Sequence, residues 1–175
     1  MLKKSLEKVL NEQINAELHS AYLYLSMSAW FLEQGLAGYA NWMRVQFQEE
    51  LAHGTHIFDY VCERGGKVTL TPISAVEVEF AGILDVFQKT LAHEQKVTAL
   101  INNLMDVATK ESDHATQSFL KWYVDEQVEE EANAEQILYN LKLIKSEGQG
   151  LLMMDRELQA RVFVDPFAAA KISMV

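Results

Sequence analysis

The chain has 175 residues, 49% of them hydrophobic, and a formal net charge of −10. That length suits one domain with a sizeable core, and the apolar share argues against disorder. The acidic balance argues against nucleic acid and anionic membrane as partners and suits attracting cations. A lone cysteine, Cys62, excludes an internal disulfide and any paired-cysteine metal knuckle, and fits a reducing, cytoplasmic compartment.

The start, Met1-Leu2-Lys3-Lys4, has the charge of a signal peptide, but Glu7, Lys8, Asn11 and Glu12 break any apolar run, so no signal peptide is read. No stretch approaches the ~20 apolar residues of a membrane span. A first helix is expected from about Ser5, a plausible N-cap, to about Glu33, with an apolar stripe through Leu6, Leu10, Ile14, Leu18, Ala21, Leu25 and Phe31. Gly35 and Gly38 mark a turn. A second helix runs from about Ala37 to Arg64 and stops at Gly65-Gly66. A third runs from near Gly82 to near Lys110. The fourth is capped by Ser112 or Asp113, continues to about Ser146 and ends at Gly148. A short fifth helix, roughly Gly150 to Phe163, precedes Asp165-Pro166 and an apolar tail over 164–175.

The segment from Lys67 to Ala81 reads as extended. Fifteen residues at about 3.3 Å each reach ~50 Å, and a 28-residue helix is about 42 Å long, so this connection can span the bundle. Helix hairpins use only about two to eight linking residues. The expected fold is therefore all-α: a single domain with a four-helix bundle over about 5–146, made of two antiparallel hairpins joined by one long crossover, plus a fifth helix.

Two trios of polar residues repeat at an offset of 77: Glu17, Glu50 and His53, then Glu94, Gln127 and Glu130. In each, 33 residues separate the first two members and a step of three follows. The midpoints of Glu17/Glu50 and Glu94/Gln127 fall just before the two hairpin turns, which places the members of each pair at one level. Four helices then aim six polar side chains at one point, the way such bundles build a two-metal site. Glutamate oxygens and one histidine nitrogen suit iron, manganese or zinc. The charge of −4 on Glu17, Glu50, Glu94 and Glu130 matches two divalent ions. Without metal, burial and mutual repulsion should raise their pKa values.

The halves are chemically unequal. Glu50-x-x-His53 offers a strong nitrogen ligand, whereas Gln127-x-x-Glu130 offers a neutral amide, suited to hydrogen-bonding a bound water or oxygen species. That favours metals that leave. A second layer follows the same offset, Glu49 with Glu126, and Glu129 joins it one turn on. Tyr24, two turns after Glu17, lies on the same face and can donate a hydrogen bond or an electron; Trp122 is a weaker redox candidate.

Each residue also has a plainer reading. A single Glu-x-x-His arises often by chance, and a lone internal glutamate usually lies on a solvated face. Glu131 fits an exposed acidic run. A lone tyrosine like Tyr24 is most often a core residue with a satisfied hydroxyl. Trp30, Trp42 and Trp122 fit packing, His19, His56, His93 and His114 fit surfaces or interfaces, and Cys62 fits the core. The joint pattern is what distinguishes a site. On the residues alone, a di-metal oxidase or peroxidase with a small substrate stays open, as does a helical structural protein with acidic surfaces.

The chain resembles the bacterial non-haem ferritins over nearly its whole length. The resemblance rests on Ala16-Glu17-Leu18-His19-Ser20-Ala21-Tyr22-Leu23-Tyr24, Glu49-Glu50-Leu51-Ala52-His53, Ala92-His93-Glu94-Gln95 and Asp125-Glu126-Gln127-Val128-Glu129-Glu130. It implies that Glu17, Glu50 and His53 hold a first ferroxidase iron, with Glu50 bridging to a second held by Glu94 and Glu130 beside Gln127. Glu49, Glu126 and Glu129, with Glu130, match the family's third iron site, and Tyr24 its central tyrosine. It further implies oxidation of Fe(II) by oxygen or peroxide, iron detoxification and storage as ferric mineral, and a homo-oligomeric hollow shell of twenty-four subunits with the fifth helix along its fourfold axes. Haem bacterioferritins carry methionine where this chain has Leu51, and Glu-x-x-His on the fourth helix, so no haem is expected. Rubrerythrins add a domain with paired Cys-x-x-Cys motifs, which one cysteine cannot build. Miniferritins place their ligands between subunits and do not need a set inside the bundle.

Overall fold

Helical periodicity with glycine punctuation gives five helices in the computed structural model, which describes residues 1–145 and 148–168. They are α1 (Lys4–Glu33), α2 (Ala37–Glu63), α3 (Ile83–Lys110), α4 (His114–Leu143) and α5 (Gly148–Leu158). α1 pairs with α2 and α3 with α4, the two hairpins meet through α1 and α3, and α5 lies on α2. Both hairpins are antiparallel. Leu2 N donates to Arg64 O at 3.1 Å at the open end of the first, and Ser28 Oγ donates to Ala40 O at 2.8 Å near its turn.

The turns differ in detail from expectation. Gly35 (φ 75°) and Gly65 (φ 69°) adopt the left-handed conformation that closes a helix cheaply. Gly38 is not a turn residue. It sits in the first turn of α2, where a Cβ would lie 1.6 Å from the Asp155 carbonyl oxygen, so glycine there lets α5 rest directly on α2. Ser5 does not cap α1; Lys3 holds that position, and Ser5 Oγ donates to Glu111. Asp113 does cap α4, accepting from Thr116 N at 3.0 Å. Helix α4 ends at Leu143, before Gly148, and Gly148 instead opens α5. The expected end at Ser146 and the tail from 169 onward lie outside the described residues. α5 is shorter than expected, because beyond Leu158 the chain straightens.

The crossover is pinned along α1 by side chains. Thr69 N donates to Asn11 Oδ1 at 2.6 Å, Asn15 Nδ2 to Thr71 O at 3.1 Å, and Ser26 Oγ to Glu77 O at 2.7 Å.

The core divides in two. One apolar cluster holds Leu6, Leu10, Ile14, Ile57, Val61, Val97, Ile101 and Leu120. The other holds Met27, Phe31, Trp42, Met43, Val86, Phe87, Ile137 and Leu141. On all four helices the polar trios fall between the two, so a polar layer crosses an otherwise apolar interior.

Candidate metal centre

Glu17, Glu50, His53, Glu94, Gln127 and Glu130 are all buried in that layer. Side chains one helical turn away share a face, so Glu50 and His53 on α2, and Gln127 and Glu130 on α4, arrive together. Glu17, Glu50 and His53 offer ligand atoms that all lie within 4.8 Å of one another. Three buried atoms here lack hydrogen-bond partners: Glu17 Oε2, Glu50 Oε2 and His53 Nε2. Orphaned buried polar atoms are costly and rare, and all three are of types that can ligate a metal.

The other half is satisfied from within. Glu94 accepts from the Tyr24 hydroxyl and, at 3.3 Å, from Gln127 Nε2. The same Gln127 amide reaches the Glu94 carbonyl and Thr98 Oγ1, so it holds Glu94 in place. Glu130 Oε2 accepts from Gln46 Nε2 at 2.8 Å. Gln127 also lines a groove of about 350 Å³ between α3 and α4. The halves thus differ in hydrogen bonding: each of Glu17, Glu50 and His53 has a buried side-chain atom without a partner, and neither Glu94 nor Glu130 does.

Burial, and then the neighbouring carboxylates, push Glu50 and Glu130 well above the ordinary 4.5. Burial raises Glu17 against the opposing hydrogen bonds from Glu50 and Gln13. Burial takes Glu94 to about 7, opposed by Tyr24 and Gln127. For His53, burial and then the nearby His56 lower the pKa to about 4, so its ring is neutral and fit to ligate. Burial and three carboxylates hold Tyr24 well above 10, as a protonated donor. Without a cation the layer keeps protons; a bound cation would replace them.

The outer acidic residues are looser. Glu49 and Glu126 are half-buried and Glu129 is exposed. Burial, then Glu129 and Glu49, raises Glu126 to about 7. Among the described residues they form no group as tight as the first trio. Instead, Glu49 Oε2 accepts from Arg161 Nη2 at 2.7 Å.

A family model for the ferritin-like domain matches residues 7–144. The chain belongs to the ferritin-like family. It is 43% identical to a bacterial non-heme ferritin of Staphylococcus saprophyticus over 163 residues, covering 93% of this chain and 98% of that one. It is 40% identical to a bacterial non-heme ferritin of Bacteroides fragilis over 161 residues, covering 92% of this chain and all of that one. Among solved structures, a closed form of the Archaeoglobus fulgidus ferritin engineered by mutagenesis superposes with a TM-score of 0.92 at 47% identity, over 94% of this chain and 100% of that one. The open-pore ferritin of the same organism gives 0.91 at 47%, over 93% and 100%.

This ferritin-like chain positions its site with residues the sequence reading passed over. Gln13 and Gln46 sit one turn before Glu17 and Glu50 and are themselves 33 apart; Gln13 Nε2 donates to Glu17 Oε1 at 2.8 Å. The 33-residue spacing within each trio was available to reveal these amides. Tyr123 donates its hydroxyl to the His53 carbonyl at 3.0 Å. Trp122 packs edge-on to the His53 ring, 5.2 Å between centroids. His56 and His93 are half-buried rather than superficial. His56 stacks on Phe167 and His93 bonds Ser20. Cys62 is exposed, not core. Among the described residues no helix is long and apolar enough to cross a membrane.

Proposed function

We propose that this protein is a cytoplasmic iron-storage ferritin whose buried layer oxidises Fe(II). The observation that carries the reading is the trio of unpartnered ligand atoms on Glu17, Glu50 and His53, set within reach of one another beside two further buried carboxylates. Fe(II) is the substrate. Glu17, Glu50 and the neutral His53 receive one ion; Glu50, Glu94 and Glu130 receive a second. As the ions enter, the carboxylates give up their protons, and the four negative charges balance two divalent ions, relieving the cost of uncompensated buried charge. Each Fe(II) gives up one electron, and oxygen or peroxide takes both.

Chain residues set the rest of the chemistry. Gln13 and Gln46 orient Glu17 and Glu130, and Gln127 and Tyr24 orient Glu94. The better-furnished first half retains an ion more firmly than the second, which suits a site of transit. Glu49, Glu126, Glu129 and Glu130 serve as a third cation site on the way out. The identity to ferritins supports a homo-oligomeric shell of twenty-four subunits in which ferric mineral collects, and iron rather than zinc or manganese as the metal.

The test is aerobic addition of excess Fe(II) to the metal-free protein, followed by electron microscopy and size-exclusion chromatography. Soluble particles of several hundred kilodaltons with dense cores are expected. Turnover that halts at two or three irons per subunit without mineral, or a monomer, would sink the storage reading.

A further inference from the structure

Past α5 the chain runs without helix over 161–165 and turns at 166–167, with Arg161, Phe163, Asp165 and Phe167 more buried and Val162, Val164 and Pro166 exposed. This strap is anchored at both ends beside the centre. At one end, Arg161 bonds Glu49, lies over the Trp42 ring at 4.9 Å, and is fixed by Asn41 Nδ2, which donates to its carbonyl at 2.9 Å. At the other, Phe167 is buried, stacks on His56 at 3.7 Å and meets Trp122 edge-on at 4.6 Å.

We infer that Arg161 is a built-in competitor cation: it occupies the acidic group of Glu49, Glu126, Glu129 and Glu130, and a metal ion can settle there only by displacing it. This rests on the reading of that group as a third cation site. Three observations carry the inference. The guanidinium takes Glu49 Oε2, one of the atoms a metal would need. Its charge also acts on Glu126 and Glu130, so its reach goes beyond the pair with Glu49. And Arg161 is itself incompletely satisfied where it sits. Arg161 Nη1 is buried without a partner, and so is Oε1 of Gln46, a fully buried side chain one turn before Glu49 that bonds Glu130. An arginine held by one hydrogen bond instead of a two-point fork is a displaceable occupant. A divalent ion brings twice the charge in a smaller volume and repels the guanidinium as it enters. Once Arg161 leaves Glu49, that end of the strap loses its side-chain ion pair and keeps the Asn41 hydrogen bond to the Arg161 carbonyl, while Phe167 holds the other end.

The experiment is calorimetric titration of the full-length metal-free protein with Zn(II), which is redox-silent, while tryptophan emission is followed. The parent should bind two zinc ions tightly and a third more weakly. The third should bring a red shift, as Trp42 loses the Arg161 guanidinium from its ring. Arg161→Gln should tighten the third site roughly tenfold to a hundredfold, the range of a charge-assisted hydrogen bond, and abolish the shift tied to the third equivalent. Arg161→Lys, which keeps the charge, should stay within about threefold of the parent. Equal third-site affinity in parent and Arg161→Gln, or third-site binding in the parent with no change in emission, overturns the inference while leaving the site itself standing. Failure of both proteins to take up a third zinc overturns the site, and the inference with it.

Discussion

His53 is buried and neutral, and its Nε2 has no hydrogen-bond partner; Glu17 and Glu50 each carry an oxygen without one, that of Glu50 lying 3.5 Å from His53 Nδ1. Such groups lower stability until an electrophile arrives. Replacing them should therefore harm turnover more than folding. For Glu17→Ala and His53→Ala we expect the initial rate of Fe(II) oxidation to fall at least about tenfold, with the size-exclusion profile of the parent retained. Stopped-flow absorbance checks the first and chromatography the second. If both variants keep the parental rate, the ligands are misassigned. Glu17→Gln should also leave the metal-free melting temperature unchanged or raised, since a desolvated carboxyl is replaced by an amide of the same shape. The six residues of the layer were legible because acids at matched spacing have no apolar explanation. Gln13 and Gln46 obey the same spacing, but glutamine is common on helix surfaces, and only the structure shows the two buried. Trp122 was named as a weaker redox candidate, but Tyr123 and Phe167 were invisible as site neighbours because aromatic residues read as core wherever they fall.

The helix ends show what a chain can advertise locally. Gly35 and Gly65 announce their left-handed turns, whereas Ser112 takes the same conformation (φ 52°) without glycine, beside a capping residue, Asp113, that is recognisable. Asp113 also receives Arg64 from the other hairpin at 2.8 Å. Hydrogen bonds from Arg64, and then from the Thr116 backbone, hold its pKa at about 2, down from 3.8. A folded value below the unfolded one means that the unfolded chain binds more protons between about 2 and 3.8. The contribution to stability is thus present above that window and lost as pH falls through it. Asp113→Ala should cost about 1 kcal/mol at neutral pH, as for other N-caps, and the deficit should shrink toward pH 2, read from urea midpoints across that range. The contact of α5 with α2 could not be foreseen. Asp155 Oδ1 accepts from Gly38 N at 2.8 Å and Tyr39 N at 3.1 Å, capping a helix from another element. Pairings so distant in sequence leave no periodic trace, and the same holds for Arg161 and Glu49.

For the molecule as a whole, the buried acids impose a pH dependence of the opposite sign. Glu94 rises from 4.5 to about 7 on folding, so between those values the folded state holds the extra proton and stability falls as pH rises. His53 and His93, lowered from 6.5 to about 4, act in the opposite direction, but the raised acids Glu50, Glu94, Glu126 and Glu130 outnumber them, so metal-free protein should melt at a higher temperature near pH 5 than near pH 7. Zn(II) at a hundredfold excess over its dissociation constant should stabilise the protein by about 2.7 kcal/mol at pH 7 by mass action alone, with protons released in buffers of differing ionisation heat. Differential scanning calorimetry with and without zinc tests both; a metal-free melting temperature that climbs from pH 5 to 7 would contradict the charge assignment. The all-α bundle and its crossover were legible from two long hairpin signatures and one extended link, since helix length and loop length together leave few ways to connect four helices.

The division of the acids between hairpins has a kinetic consequence. Glu17 and Glu50 belong to α1 and α2, Glu94 and Glu130 to α3 and α4. Each hairpin is built from local contacts and can form early while carrying only two of the four charges. All four meet only when the hairpins dock across the fifteen-residue crossover, with an apolar cluster closing on either side of them. The electrostatic toll is deferred to that last event. Docking, not helix formation, is therefore the step whose rate should respond to protons and divalent ions.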